Sequence, residues 1–342
     1  MIMYETIDNF LRERNFSGVV SIYEGRNQSY LKSFGYRDIP NEIPINATTR
    51  FGIASGTKTF TAVGMMRLIE SGHVALSTSV REIMGYDIEF VHPDATIRQL
   101  LNHTSGTYDY YDEELVDDFD NYEVEIPWFK LDAPGDYLPL FKSKGMKFRP
   151  GTRASYSNGG YVFLGILIEK ISGLKYRDFM QQAVFEPAGM KSTGFYAFND
   201  LPKNTAWGYM SVGDSLVSNI YKLPIRGGGD GGLYTNSEDM NTFWIHLFDN
   251  SLVSAKSLND MTNEEVELFR GQKYGLGLYI DDFENHTSYS ARGSDCGVGF
   301  YSSFVPDLNL NINVFSNMTD GERGVIAFLE NELLKGERIA DG

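Results

Sequence analysis

The stretch Phe51-Gly52-Ile53-Ala54-Ser55-Gly56-Thr57-Lys58-Thr59-Phe60-Thr61-Ala62 decides how this chain is read. It sets a hydroxyl, Ser55, and an amine, Lys58, three residues apart at the start of a helical run. Residues at i and i+3 share a helix face, so the Lys58 amine can lie beside the Ser55 hydroxyl. A serine is a weak nucleophile until a neighbouring base takes its proton, and this spacing supplies such a base without histidine.

Spacing alone does not single out the pair, because Ser29-Tyr30-Leu31-Lys32 and Ser172-Gly173-Leu174-Lys175 share it. Ser29 falls in an alternating segment that predicts a strand, where i and i+3 point to opposite faces. Ser172 falls at the glycine-marked end of a helix. Ser55 instead opens a helix that runs through Phe60, Val63, Met66, Leu68 and Ile69 and stops near Gly72.

With 342 residues, 42% of them hydrophobic, the chain can bury a sizeable core in one or two domains. Its 14% aromatic content argues against disorder. A formal net charge of −16 weighs against nucleic acid or an anionic membrane as partner. The lone cysteine, Cys296, rules out an intrachain disulfide framework. No apolar run approaches the roughly 20 residues of a membrane span. The first residues lack the basic and then apolar pattern of a secretory signal, so a cytoplasmic location is expected.

Along the chain, residues 3–14 predict an amphipathic helix, and 18–23 with 29–36 predict a hairpin. Residues 80–215 read as mostly helical with long loops, including short helix 96–103 and helix 161–171. Segments 274–280, 287–292, 299–305 and 308–315 alternate like consecutive antiparallel strands, and 321–334 reads as a closing helix. Strands at both ends with helices between them predict an α+β (α/β sandwich) fold: an antiparallel sheet of five or more strands flanked by helices, with an inserted all-helical domain. The expected division is 1–80 plus 215–342 against 81–214, with the active site in the cleft between.

A second constellation lies in Pro150-Gly151-Thr152-Arg153-Ala154-Ser155-Tyr156-Ser157-Asn158, a loop between Pro/Gly punctuation and an apolar helix. There Tyr156 can relay a proton and Asn158 can orient an amide or the lysine. Tyr234-Thr235-Asn236 repeats the Tyr-x-Asn spacing, but the following Ser-Glu-Asp run reads as a helix cap. The acidic, tyrosine-rich loop 107–126 reads either as a solvated flap or as a lid. As a lid, its tyrosines would line a substrate cleft and its carboxylates would repel anions.

Ser55-x-x-Lys58 and Tyr156-x-Asn158, with flanks 96–106 and Pro150-Gly151-Thr152, resemble the serine β-lactamase and penicillin-binding protein superfamily. The similarity continues through Trp207-Gly208-Tyr209, 231–240 and Tyr274-Gly275-Leu276-Gly277, in that family's order. Its class C β-lactamase and D,D-carboxypeptidase/esterase branch is the nearest likeness. The resemblance implies Ser55 as nucleophile, Lys58 as its base, Tyr156 as relay to the leaving group, and Asn158 as support for Lys58 and the substrate amide. It also implies an oxyanion hole built from the Ser55 N–H and an N–H of an edge strand.

The third family signature departs here. Ala291 stands where the family has Lys or His, Arg292 takes the middle position, and Gly293 is retained before Ser294. The resemblance then implies Ser294 N–H as second oxyanion donor, with Gly293 leaving room for substrate. Arg292 is the candidate replacement cation, although strand alternation points it to the other face. Loss of that cation argues against strong β-lactamase activity. The implied partner is a small-molecule or peptide acyl donor, β-lactams included, with no cofactor and no metal. A penicillin-binding-protein-like carboxypeptidase or esterase is the expected function. The alternatives are a true class C-type β-lactamase and a catalytically silent binding protein on the same fold.

Three other signals carry less. Gly227-Gly228-Gly229-Asp230-Gly231-Gly232 lacks the strand–turn–helix setting of a dinucleotide site and reads as a backbone-dense loop near the cleft. The histidines have no metal-ligand spacing, and His103 reads as structural. Cys296 reads as buried filler.

Overall fold

The computed structural model describes residues 2–116, 122–263, 266–268 and 271–334. Eight strands carry the fold: β1 (Gly18–Glu24), β2 (Asn27–Phe34), β3 (Val266–Leu268), β4 (Gln272–Tyr274), β5 (Tyr279–Asp282), β6 (Thr287–Asp295), β7 (Val298–Val305) and β8 (Leu310–Ser316). They form one antiparallel sheet in the order β2-β1-β8-β7-β6-β5-β4-β3. The two ends of the chain therefore meet in mid-sheet, where β1 pairs with β8.

Five helices matter most: α1 (Ile2–Glu13), α2 (Thr57–Glu70), α3 (Asn158–Ser172), α4 (Ser237–Phe248) and α5 (Val325–Leu334). Every position of β7 and β8 is buried, as expected of strands covered on both faces. Val19, Phe315, Phe300 and Gly293 lie across one another in register. The first three belong to the large core that also holds α2 and α3. Their neighbours Val20, Val314 and Tyr301 point the other way, into a second core with Ile7 and Leu11 of α1 and Leu329 of α5. Phe10 and Phe328 stack at 3.9 Å to join the two terminal helices.

The caps explain where the central helices begin. Ser157 Oγ accepts the Gly160 N–H at 2.9 Å at the start of α3, and Gly173 closes it with φ 73°. Asn236 accepts the Asp239 N–H at 3.0 Å ahead of α4, as its sequence context predicts. Between residues 80 and 215 the other helices are short, for example Val80–Met84, Ile97–Leu101 and Tyr176–Met180. The closing helix starts at Val325, not at residue 321, because residues 321–324 form the turn leading into it. Residues 117–121 of the acidic loop lie outside the described residues. No helix among the described residues is long and apolar enough to cross a membrane.

Leu329 is fully buried between α1 and the sheet. Leu329→Ala is expected to lower the unfolding free energy by about 2–5 kcal/mol in urea titration. A loss under about 1 kcal/mol would show that the terminal helices are not integral to the folded unit.

Candidate active site

Ser55 does not sit inside the helix that its sequence predicts. It occupies a 3₁₀ turn, Ala54–Gly56, immediately before α2. Ala54 adopts φ 44°, a left-handed conformation that a non-glycine residue holds only under constraint. The constraint is visible: the Thr57 hydroxyl donates to Ala54 O at 2.7 Å and accepts the Leu233 N–H at 3.0 Å. The turn is thus tied both to its own helix and to the end of the glycine-rich loop, and Ser55 is left half-buried at the cleft.

Lys58 follows in the first turn of α2 and is 2% exposed. Its Nζ donates to Ser55 Oγ at 2.9 Å, Asn158 Oδ1 at 2.8 Å and the Asp230 carbonyl at 2.7 Å. Three acceptors match the three protons of an ammonium. Burial lowers the Lys58 pKa from the usual 10.5, against the opposing pull of Asp230, Glu113, Asp109 and Asp295. A neutral amine here keeps two donors for Asn158 and Asp230 and offers its lone pair to the Ser55 proton. One proton shift therefore activates the serine without moving a heavy atom.

Tyr156 and Asn158 arrive from the loop before α3. Tyr156 lines the same part of the cleft as Ser55 and Tyr279. Burial first, and then the neighbouring Tyr279 and Glu113, hold its pKa well above 10, so it stays a phenol. The Lys58 amine lies 4.8 Å from the Tyr156 ring centre. Behind that ring, His103 packs at 4.5 Å, and its Nδ1 accepts the Ser157 N–H at 3.1 Å. Burial and the charges of Lys58 and Lys147 keep His103 neutral, consistent with a supporting role. Asp109 accepts the Asn158 and Gly159 N–H groups at 2.8 and 3.0 Å, which fixes the first residues of α3. Burial raises its carboxyl to about 7.

The strand of the third signature, β6, lies between β5 and β7 in strand order. β5 pairs with it only from Thr287 to Ser290 while β7 continues to Asp295, so the Gly293–Ser294 stretch runs beyond β5 as the local edge that the resemblance implies. Ala291 is buried, and Gly293 presses against the nucleophile turn. A Cβ on Gly293 would collide with the Ile53 carbonyl oxygen and lie 2.9 Å from the amide nitrogens of Ser55 and Gly56. Only a glycine lets strand and turn approach this closely. Ser294 follows at the cleft wall, its hydroxyl donating to Asp320. Arg292 turns to the opposite face, as alternation requires. It pairs with Asp281 and lies over the Tyr279 ring, 4.5 Å from its centre.

Two lobes of the cleft meet at Ser55, Glu113 and Ser294. One is walled by Tyr110, Tyr111, Trp128, Tyr137 and the 222–227 loop, with about 810 Å³ of space counting that open to solvent. The other runs past Tyr156, Tyr279 and Arg292 to α5, with about 1750 Å³ counted likewise. Glu113 is reachable from the cleft, yet surrounding protein desolvates its carboxylate and raises its pKa against the opposing effect of Lys58. The Asn158 side-chain amide donates to the Tyr111 carbonyl at 2.9 Å, two residues before Glu113. Burial raises Asp295 to about 7 on the wall of the first lobe. Among the described residues, no group of His, Cys, Asp and Glu is placed to hold a metal.

A sequence profile of the Beta-lactamase family matches residues 4–334. The chain belongs to the Beta-lactamase family. It is 30% identical over 297 residues to Penicillin-binding protein 4* of Bacillus subtilis, covering 82% of this chain and 62% of that one. It thus spans less than two thirds of that relative's length. The putative penicillin-binding protein PbpX of the same organism is 27% identical, covering 93% of this chain and 75% of its own. The crystal structure of a penicillin-binding protein from Bacillus halodurans superposes with TM-score 0.89 at 35% identity, over 95% of this chain and 99% of that one.

Within this Beta-lactamase family fold, Ser55, Lys58, Tyr156 and Asn158 come together as the sequence predicts, and Gly293 and Ser294 border them. Arg292 is held apart by its pair with Asp281. Asp109, Asp230 and Asp295 were missed. Asp230 hides inside the glycine run, where it contributes a carbonyl to Lys58 and accepts the Tyr110 hydroxyl at 2.6 Å. No local pattern marks a backbone carbonyl as functional.

Lys58 should be competent only when neutral, so serine acylation should rise with pH and level off. Because burial lowers its pKa, the rise should centre below 10.5. Lys58→Ala should cut acylation by about 10²–10⁴-fold in stopped-flow labelling; a wild-type rate would remove lysine from the base role. Gly293→Ala should slow acylation by about 10²-fold or more, since it pushes β6 off the Ser55 turn. Unchanged labelling would show that this close approach is not needed.

Proposed function

We propose that this protein is a serine hydrolase that forms an acyl-Ser55 intermediate from an amide, ester or β-lactam bond, in the manner of penicillin-binding-protein-like carboxypeptidases and esterases. The observation that carries this reading is the 2.9 Å hydrogen bond between Lys58 Nζ and Ser55 Oγ in an open cleft. Lys58 takes the hydroxyl proton as Oγ attacks the acyl carbon. The N–H groups of Ser55 and Ser294 stabilise the oxyanion, a contribution of about 3–4 kcal/mol per donor. As the bond to the leaving group breaks, the proton held by Lys58 passes to it through Tyr156, which gives up one proton and takes one back. Water then attacks the acyl carbon, releases the acid and returns a proton to Ser55. The cleft is read as the boundary between 1–80 plus 215–342 and 81–214.

The charges around Ser55 narrow the acyl donor. The family's carboxylate-reading cation is replaced by Ala291, and Arg292 is committed to Asp281. Glu113 and Asp295 border the first lobe at and near its junction with the second, while the cations of that lobe, Lys222 and Arg226, stand on the 222–227 loop. This arrangement favours donors that carry an ammonium near the carbonyl and disfavours anionic ones, including the carboxylate-terminated substrates of a D,D-carboxypeptidase.

Wild type and Ser55→Ala should be incubated with a fluorophosphonate, a fluorescent penicillin and p-nitrophenyl acetate, with adducts located by mass spectrometry. Labelling of Ser55 in wild type alone is expected; equal labelling of both proteins would leave a silent binding protein. A matched cationic and anionic anilide pair should differ in kcat/KM by about tenfold or more in favour of the cation. Equal rates would remove the charge preference.

A further inference from the structure

The carboxylate that faces the junction of the two lobes, Glu113, sits on a loop whose preceding residues are anchored through Asp109, Tyr110 and Tyr111. Its neighbours on both sides are acidic, Asp112 and Glu114. Left alone, three consecutive carboxylates repel one another and favour solvent over a cleft wall. Lys147 answers the two that flank Glu113. Lys147 Nζ lies 2.7 Å from Asp112 Oδ2 and 3.6 Å from Glu114 Oε2, and it also donates to Ser155 Oγ at 2.7 Å. The Ser155 hydroxyl in turn donates to Glu114 Oε1 at 2.6 Å, and Arg153 reaches the same carboxylate at 3.3 Å.

The two loops joined in this way reach the body by different bonds. The segment carrying Lys147 and Ser155 is fastened to the body by backbone bonds: Lys147 N–H to Gly106 O at 2.9 Å, Gly151 N–H to Thr104 O at 2.8 Å and Ser155 N–H to His103 O at 3.0 Å. The Asp112 and Glu114 side chains reach the body at Lys147, Ser155 and Arg153. The acidic loop is also tied ahead of Asp112, through Asp109 to the start of α3, Tyr110 to Asp230 and the Tyr111 carbonyl to Asn158, so Lys147 fixes its onward stretch across Glu113. Lys147 and Asp112 are also largely shielded, at 12% and 10% side-chain exposure, so solvent screens this pair far less than a surface pair.

We propose that Lys147 is a positioning residue: by pinning the carboxylates on either side of Glu113, it holds Glu113 over the junction where the ammonium of an acyl donor binds. Lys147 touches no reacting atom. Its influence runs through Glu113, and the inference rests on the charge preference set out under Proposed function. A loosened loop lets Glu113 leave the cleft wall, which weakens binding of a cationic donor while Ser55, Lys58 and Tyr156 keep their places.

The test compares alanine p-nitroanilide, which carries an ammonium, with p-nitrophenyl acetate, which is neutral. Lys147→Met should raise KM for the anilide by about tenfold with a smaller change in kcat, and leave acetate turnover within about twofold. Lys147→Arg should recover most of the anilide KM. Glu113→Gln should reproduce the defect, and the double variant Lys147→Met/Glu113→Gln should be no worse than Glu113→Gln alone. Additive losses, equal losses on both substrates, or a wild-type KM in Lys147→Met would each overturn the inference. If Lys147→Met fails to fold, Asp112→Asn supplies the same comparison. A Glu113→Gln enzyme with an unchanged anilide-to-acetate ratio sinks the ammonium preference and this inference together. A defect in Glu113→Gln but not in Lys147→Met sinks this inference alone.

Discussion

Taking the Lys58 amine out of water is unfavourable by a few kcal/mol unless polar partners meet it, and those partners come from three distant parts of the chain. Ser55 is local, Asn158 begins a helix a hundred residues later, and Asp230 lends a carbonyl from the glycine-rich loop. Each must arrive in place for the others to be satisfied. The cap on α3, the hydroxyl of Thr57 and the carboxylate of Asp109 all serve that convergence. Once assembled, the same desolvation that makes the amine costly to bury lowers its proton affinity. Stability and reactivity at this point thus share one cause.

The sheet contributes rigidity where chemistry needs it. Because β6 is paired with β7 as far as Asp295, and with β5 from Thr287 to Ser290, its backbone cannot shift without disturbing the sheet. Gly293 lets that fixed backbone touch the Ser55 turn, and Gly56 accommodates the Phe300 ring from the neighbouring strand. Preorganised N–H donors stabilise charge without reorganising during the reaction. The strained Ala54 conformation persists because the turn is held by its helix, by the glycine loop and by the sheet.

The first lobe is walled by loop tyrosines and Trp128, joined where the Ile225 N–H meets the Trp128 carbonyl at 3.2 Å. Desolvation by surrounding protein makes the carboxyls of Glu113, Asp230 and Asp295 easier to protonate. On the proposed function, the replacement of the family's cation by Ala291 turns this rim from reading anions towards reading cations, with no rearrangement around Ser55.

Local patterns in the sequence determined much of the architecture: the strand alternation of 287–305, the caps at Ser157 and Asn236, and the pairing of Ser55 with Lys58 by helical spacing. These are legible because period, capping and i,i+3 contacts depend on neighbours in the chain. Tertiary structure alone decided that Ser55 sits in a 3₁₀ turn ahead of the helix, that β5 stops short of Gly293, and that Arg292 is committed to Asp281. It alone brought Asp109, Asp230 and Glu113 around the lysine. Those outcomes depend on contacts between residues tens to hundreds of positions apart, and on backbone groups that every residue carries alike. Composition and spacing cannot encode which of them will meet.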